Sequence, residues 1–348
     1  MAQPYEVQDG EGGHSASIAA GAARLRALAD RANEAADAFC ISTAPSPLIE
    51  SAGLSRALGC TVLLKCDFVL PTGSFKLRGA FEKLRRMTTQ ERSRGVITAS
   101  TGNHGLAVAT VGRQLGVEVQ VHAPAGASTA KLDAIAALGA EIQLHDTDQL
   151  SIELITRQRA QDVGATYVSP YNDDDVAAGQ GGCAVEMLAQ ADIDAVCVSV
   201  GGGGLLAGVG AVFRTASPQT EIYAAWPANA PSLLHAMRAG HAIDVDETPT
   251  LSDATAGAVE EGSVTIDLAR AINPIAVQCS EDEIGRALVH LARTERFMVE
   301  GAAALALAAL VQQRGRLADK RVAVILCGRN IAFDTFRQTL DRYGEAGL

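Results

Sequence analysis

From Thr61 onward, short β-branched runs alternate with alanine-rich stretches of helical period. The runs are "TVLLKC", "GVITAS", "VEVQVHAP", "AEIQLH", "ATYVSP", "DAVCVSVGG", "EIYAAW" and "RVAVILCG". This alternation predicts an α/β chain whose parallel sheets carry helices on both faces. At 348 residues the chain exceeds the length at which one core stops growing, so two lobes with a cleft between them are expected. No repeat period or low-complexity linker separates them, which predicts interwoven rather than serial lobes. In open α/β sheets ligands bind at the carboxyl ends of strands, so the chemistry is sought in the turns there.

Charge narrows the choice of ligand. A formal net charge of −11 and no basic run argue against nucleic acid, which requires clustered Lys and Arg to displace phosphate counterions. The apolar run "GAAALALAAL" directly follows Glu300 and is too short to span a bilayer, so it reads as a buried helix and no membrane partner is expected. The polar start "MAQPYEVQDGEGGHSAS" has no signal-peptide pattern and reads as a loose tail. Seven scattered cysteines without a C-x-x-C pair fit neither a disulfide framework nor a zinc site, and point to a reducing cytoplasm.

Four turns carry candidate chemistry. "PTGSFKLRGAFEKL" places Lys76 after a Gly-Ser turn, where a lone lysine is ordinarily solvated. "ITASTGNHGLAVA" offers Ser100, Thr101, Gly102, Asn103 and His104 at the mouth of a helix, as a carboxylate receptor or a capped helix start. "VSVGGGGLLAG" puts Gly201, Gly202, Gly203, Gly204 and Leu205 between strand and helix, as a phosphate cup or a close-packed turn. "VAVILCGRN" ends a strand in Cys327 and Arg329; Cys327 alone would read as a small buried hydrophobe.

Together and in this order, "TGSFKLRGA", "STGNHG", "GGGGLLAG" and "LCGRN" resemble the fold-type II pyridoxal-phosphate enzymes, in particular the serine/threonine dehydratase and serine racemase group. "AGQGGCAVEML", "SEDEIGRAL" and "VEGAAALALAAL" extend the resemblance over nearly everything beyond residue 40. It implies a tryptophan synthase β-like fold with a flexible tail at 1–16, a large cofactor-binding domain from 17–94 and 171–348, and a small mobile domain at 95–170. Lys76 would hold pyridoxal 5'-phosphate as an imine and move the substrate's α-proton, since burial favours its free amine. Gly201, Gly202, Gly203 and Gly204, with Leu205 beside them, would cup the phosphate, Asn103 would bond the ring hydroxyl and Phe75 would pack near the ring. Cys327 would face the pyridine nitrogen. Ser100, Thr101, Gly102, Asn103 and His104 would hold the substrate, with Ser100 and Thr101 placed beside the chemistry. The implied reaction is β-elimination from a β-hydroxy amino acid such as L-threonine, L-serine or 3-hydroxyaspartate, giving a 2-oxo acid and ammonia. A cytoplasmic homodimer serving amino acid catabolism is implied as well.

Several positions depart from the family's pattern. Serine racemases carry serine where Thr101 stands, and their metal carboxylates are replaced here by Trp226 and Ser232, so racemisation ranks second and no metal is expected. "KCD" ends in Asp67 where the family usually has glutamate, and Ala254 replaces a common glycine, which is expected to narrow the cofactor pocket. Arg329 either approaches the pyridine nitrogen or faces outward. The chain closes after "AFDTFRQTLDRYGEAGL", so no appended regulatory domain is expected. A nucleotide-dependent oxidoreductase is the remote alternative, but the tetraglycine turn is not G-x-G-x-x-G and no acidic ribose partner is defined.

Overall fold

The computed structural model describes residues 11–100, 102–344 and 347. Ten strands run in chain order as β1 (Leu48–Glu50), β2 (Thr61–Lys65), β3 (Val96–Ala99), β4 (Val119–Pro124), β5 (Glu141–His145), β6 (Thr166–Tyr167), β7 (Ala195–Ser199), β8 (Glu221–Pro227), β9 (Ile275–Cys279) and β10 (Arg321–Ile325). One sheet has the order β1-β2-β10-β7-β8-β9 and the other β5-β4-β3-β6. The strands of the small sheet fall between β2 and β7 in sequence, so the large sheet is assembled from both sides of that segment. All pairings are parallel except β1 with β2.

Each of the eight runs marked by β-branched residues contains a strand. The two strands without such a signal, β1 and β9, lie at the edges of the large sheet. β1 adds one antiparallel edge to an otherwise parallel sheet. It runs antiparallel because only a short turn and helix separate it from β2, too little chain for a parallel crossover.

The apolar run near the C-terminus forms the helix Gly301–Gln313, whose residues Gly301 to Leu310 are all buried. It packs on β7, β8, β9 and β10, and its many alanines let it lie close to the sheet. Helices Glu11–Cys40, Asp174–Gln190 and Gly204–Ala216 pack on one another. The expected tail at 1–16 overlaps the first of these from Glu11, and residues 1–10 lie outside the described residues.

A buried ionic cluster fixes the start of helix Lys76–Arg86. Arg78 donates to Asp67 at 2.9 Å and to Glu186 at 2.7 Å, while Lys65 donates to Glu186 at 2.6 Å. The hydroxyl of Ser46 donates to Asp67 at 2.6 Å. Burial alone would raise the Asp67 and Glu186 carboxyls, yet Arg78 and Lys65 hold both below their ordinary range. Lys65 and Asp67 of the "KCD" segment therefore belong to the scaffold beneath the lysine turn.

Candidate active site

The turns after β2, β3, β7 and β10 converge on a cavity of about 710 Å³. Lys76 opens its helix after a turn stitched to the end of β10. Phe75 N–H donates to the Cys327 carbonyl at 2.9 Å, Arg329 N–H donates to Gly73 at 2.9 Å, and Ser74 bridges Gly328. The half-buried Lys76 donates Nζ to the carbonyl of Pro170 at 2.6 Å and lies 5.3 Å from the centroid of the Phe75 ring. Burial pushes its amine down to about 8, against the opposing charges of Glu153, Cys327 and Glu300. Roughly a tenth of it is then neutral at pH 7, far more than for an ordinary lysine.

Gly201, Gly202, Gly203 and Gly204 turn from β7 into helix Gly204–Ala216, and together with Leu205 they line the cavity. Gly203 sits at φ 92°, a left-handed conformation that disfavours side chains. A Cβ on Gly202 would come within 2.4 Å of the Tyr171 ring. The result is bare backbone at the N-terminus of a thirteen-residue helix, where N–H groups and the helix dipole favour an anion.

On the opposite wall, Ser100 accepts from Gly102 N–H at 3.3 Å. Thr101 lies outside the described residues. Asn103 donates to both oxygens of Glu300 at 3.0 Å and accepts from Asn330 at 2.6 Å. His104 is buried with Nε2 3.1 Å from the Val168 carbonyl. Burial and the nearby Lys76 push its ring down to about 3, so it is neutral, and Nε2–H donates to Val168. Its Nδ1 then presents a lone pair with no partner.

Cys327 is buried on the cavity wall, and its thiol is held well above the ordinary range by burial and then by Glu300. Arg329 is exposed and absent from the cavity lining, which selects its outward-facing alternative. Ala254 is exposed and lines the cavity. Trp226 is fully buried in the core, and Ser232 donates to Glu247 at 2.5 Å.

Among the lining residues that sequence reasoning missed, Tyr171, Glu300 and Glu153 bear most on the chemistry. Tyr171 is the floor under Gly202. Glu300 is pushed up to about 7 by burial, despite its bonds from Asn103. Its signal was a lone carboxylate directly before a wholly apolar helix. Glu153, in helix Gln149–Val163, is likewise pushed up to about 7 by burial. It sits in a helix whose apolar residues are not gathered on one face, and it had no signal.

These residues suit pyridoxal phosphate. The glycine cradle fits a phosphate, a depressed amine faces the same space, and the donor set of Asn103 and Cys327 matches a hydroxylated pyridine. The pyridoxal-phosphate dependent enzyme family matches residues 41–328. An L-threonine ammonia-lyase of Thermotoga maritima is 33% identical over 302 residues, 86% of this chain and 74% of that protein. The processed form of threonine deaminase isoform 2 from Solanum lycopersicum superposes with a TM-score of 0.83 at 27% identity, covering 97% of this chain and 91% of that one. Serine racemase from Dictyostelium discoideum gives 0.81 at 27% identity, covering 88% and 99%. With a lysine turn, a glycine cradle and a polar helix mouth all meeting in one cavity, the chain belongs to the pyridoxal-phosphate dependent enzyme family, in its serine/threonine dehydratase and serine racemase group.

Proposed function

We propose that the protein is an ammonia-lyase that eliminates water from L-threonine or L-serine to give a 2-oxo acid and ammonia. The observation that carries this reading is Lys76, an amine held near 8 by burial and set opposite a glycine cradle in one cavity. The threonine ammonia-lyase relatives support the same chemistry.

When bound, pyridoxal phosphate supplies an electron sink for the substrate's α-carbon. Gly201, Gly202, Gly203 and Gly204 would hold its phosphate, with Leu205 and Phe75 packed beside it. Asn103 would orient the ring hydroxyl, and Cys327, a neutral thiol, would be the partner of the ring nitrogen. The Ser100 hydroxyl, the backbone N–H groups of Gly102, Asn103 and His104, and Thr101 hold the substrate carboxylate. Lys76 takes the α-proton at Nζ, which its lowered basicity permits near neutral pH. Segment 95–170 closes over the substrate as the mobile domain, with 17–94 and 171–348 as the fixed one.

The test is the visible spectrum of the purified protein and of Lys76→Ala, followed by assay of 2-oxo acid from L-serine and L-threonine. A colourless protein that cannot be reconstituted defeats the reading. A racemase reading draws support from the likeness to the Dictyostelium serine racemase structure. Chiral analysis of residual serine separates the two.

We also read the enzyme as a cytoplasmic homodimer in amino acid catabolism. The free state of all seven cysteines fits a reducing compartment. Among the described residues no helix is long and apolar enough to cross a membrane. Light scattering on the purified protein checks the dimer.

A further inference from the structure

Glu153 is a buried carboxylate that the mechanism above does not use. It is 6% exposed, and it lines the same cavity as Lys76. Its Oε1 accepts from Gln149 at 3.2 Å, and the same amide also donates to the carbonyl of Ala99. Its Oε2 is buried without a hydrogen-bond partner. A buried carboxylate oxygen left in this state is costly and calls for a partner from outside the chain.

The nearby cations have partners elsewhere, apart from the Nε of Arg157, which is buried without one and lies outside the cavity lining. Arg157, one turn further along the helix, donates to both oxygens of Glu260 at 2.8 Å. Lys76 donates to Pro170, and Lys131 stands 3.9 Å from Asp253. The other carboxylates on the wall, Asp148, Asp253 and Glu300, add no positive charge. The space beyond the carboxylate-binding turn is therefore suited to a hydrogen-bond donor or a cation and hostile to an anion.

We propose that Glu153 sets the side-chain specificity of the enzyme: it receives a β-hydroxyl or a cationic side-chain group and excludes a second carboxylate. This rests on the amino acid lyase reading and sharpens its substrate class. L-Threonine and L-serine then fall inside the class and 3-hydroxyaspartate outside it. A substrate carboxylate placed against Glu153 would meet like charge in a desolvated site, whereas a hydroxyl would fill the empty acceptor on Oε2.

Calorimetric binding to the pyridoxal-phosphate-loaded enzyme tests this without turnover. The ligands are L-2-aminobutyrate, L-2,4-diaminobutyrate and L-aspartate, none of which carries a β-hydroxyl to lose. They are measured at pH 8, where Glu153 is largely ionised. The expected result is that L-aspartate binds at least about tenfold more weakly than the other two. Glu153→Gln, which keeps shape and removes charge, should erase most of that gap while leaving L-2-aminobutyrate within about threefold. Tight binding of L-aspartate to the wild type, with L-2-aminobutyrate also bound, overturns the specificity assignment and leaves the lyase reading standing. A gap that persists in Glu153→Gln overturns it too. Failure of all three ligands to bind removes the amino acid reading and this inference with it. The wild-type comparison alone decides the sign of the preference if the variant does not fold.

Discussion

Two buried groups of charged residues lie on either side of the Lys76 turn, and they have opposite electrostatics. In the cluster of Lys65, Asp67, Arg78 and Glu186, cation and carboxylate are matched at 2.6 to 2.9 Å. The pairing pushes Asp67 and Glu186 down and Arg78 up, so these three stay ionised. In the cavity the shifts run towards neutrality: Lys76 down to about 8, His104 down to about 3, Glu153 and Glu300 up to about 7. Unmatched atoms sit there too, at His104 Nδ1 and Glu153 Oε2. Paired burial makes a rigid support, whereas unpaired burial leaves groups whose protons can move near neutral pH. The two regions meet at residues 76 and 78, so one short turn serves both.

The comparison breaks most visibly at Lys76. Lys76→Ala should abolish the cofactor's visible band and cut elimination by about 10⁴-fold, while thermal unfolding stays close to wild type. A large fall in stability would show that the amine belongs to the scaffold. Arg78→Met should do the reverse. Stranding Asp67 and Glu186 without their partner should cost about 3–5 kcal/mol in denaturant unfolding, and a fully stable variant would refute the structural assignment.

A milder test varies pH. Capture of pyridoxal phosphate by cofactor-free protein needs the neutral amine, so its rate should rise about tenfold per unit below pH 8 and level off above it. The sign follows from the lowered basicity of Lys76, and a rate still climbing steeply to pH 10 would contradict the burial effect. Smallest of all, Arg329→Ala should leave kcat/KM within about twofold, because the side chain points to solvent. A larger effect would put its guanidinium back in the argument over the ring nitrogen.

Much of this protein could be read in its order of residues. Strand–helix alternation is local, so β2 to β8 and β10 left a mark, whereas the three-residue β1 and the edge strand β9 did not. The glycine turn was legible because only glycine permits both the left-handed Gly203 and the contact of Gly202 with Tyr171. Lys76 was legible only as one of four turns taken together, since a single lysine carries no such information.

What tertiary structure alone decided is which distant charges share a site. Glu300 reaches Asn103 across 197 positions, and Glu153 lines the same cavity as Lys76 from a helix of the small sheet's segment. Desolvation sets the basicity of all these groups, and desolvation depends on what the folded chain packs around them. The sequence by itself determined the α/β architecture and the backbone cradle, because those follow from local conformational and hydrophobic preferences. The protonation states in the cavity, and the gathering of Glu153 and Glu300 on its wall, came only with the fold.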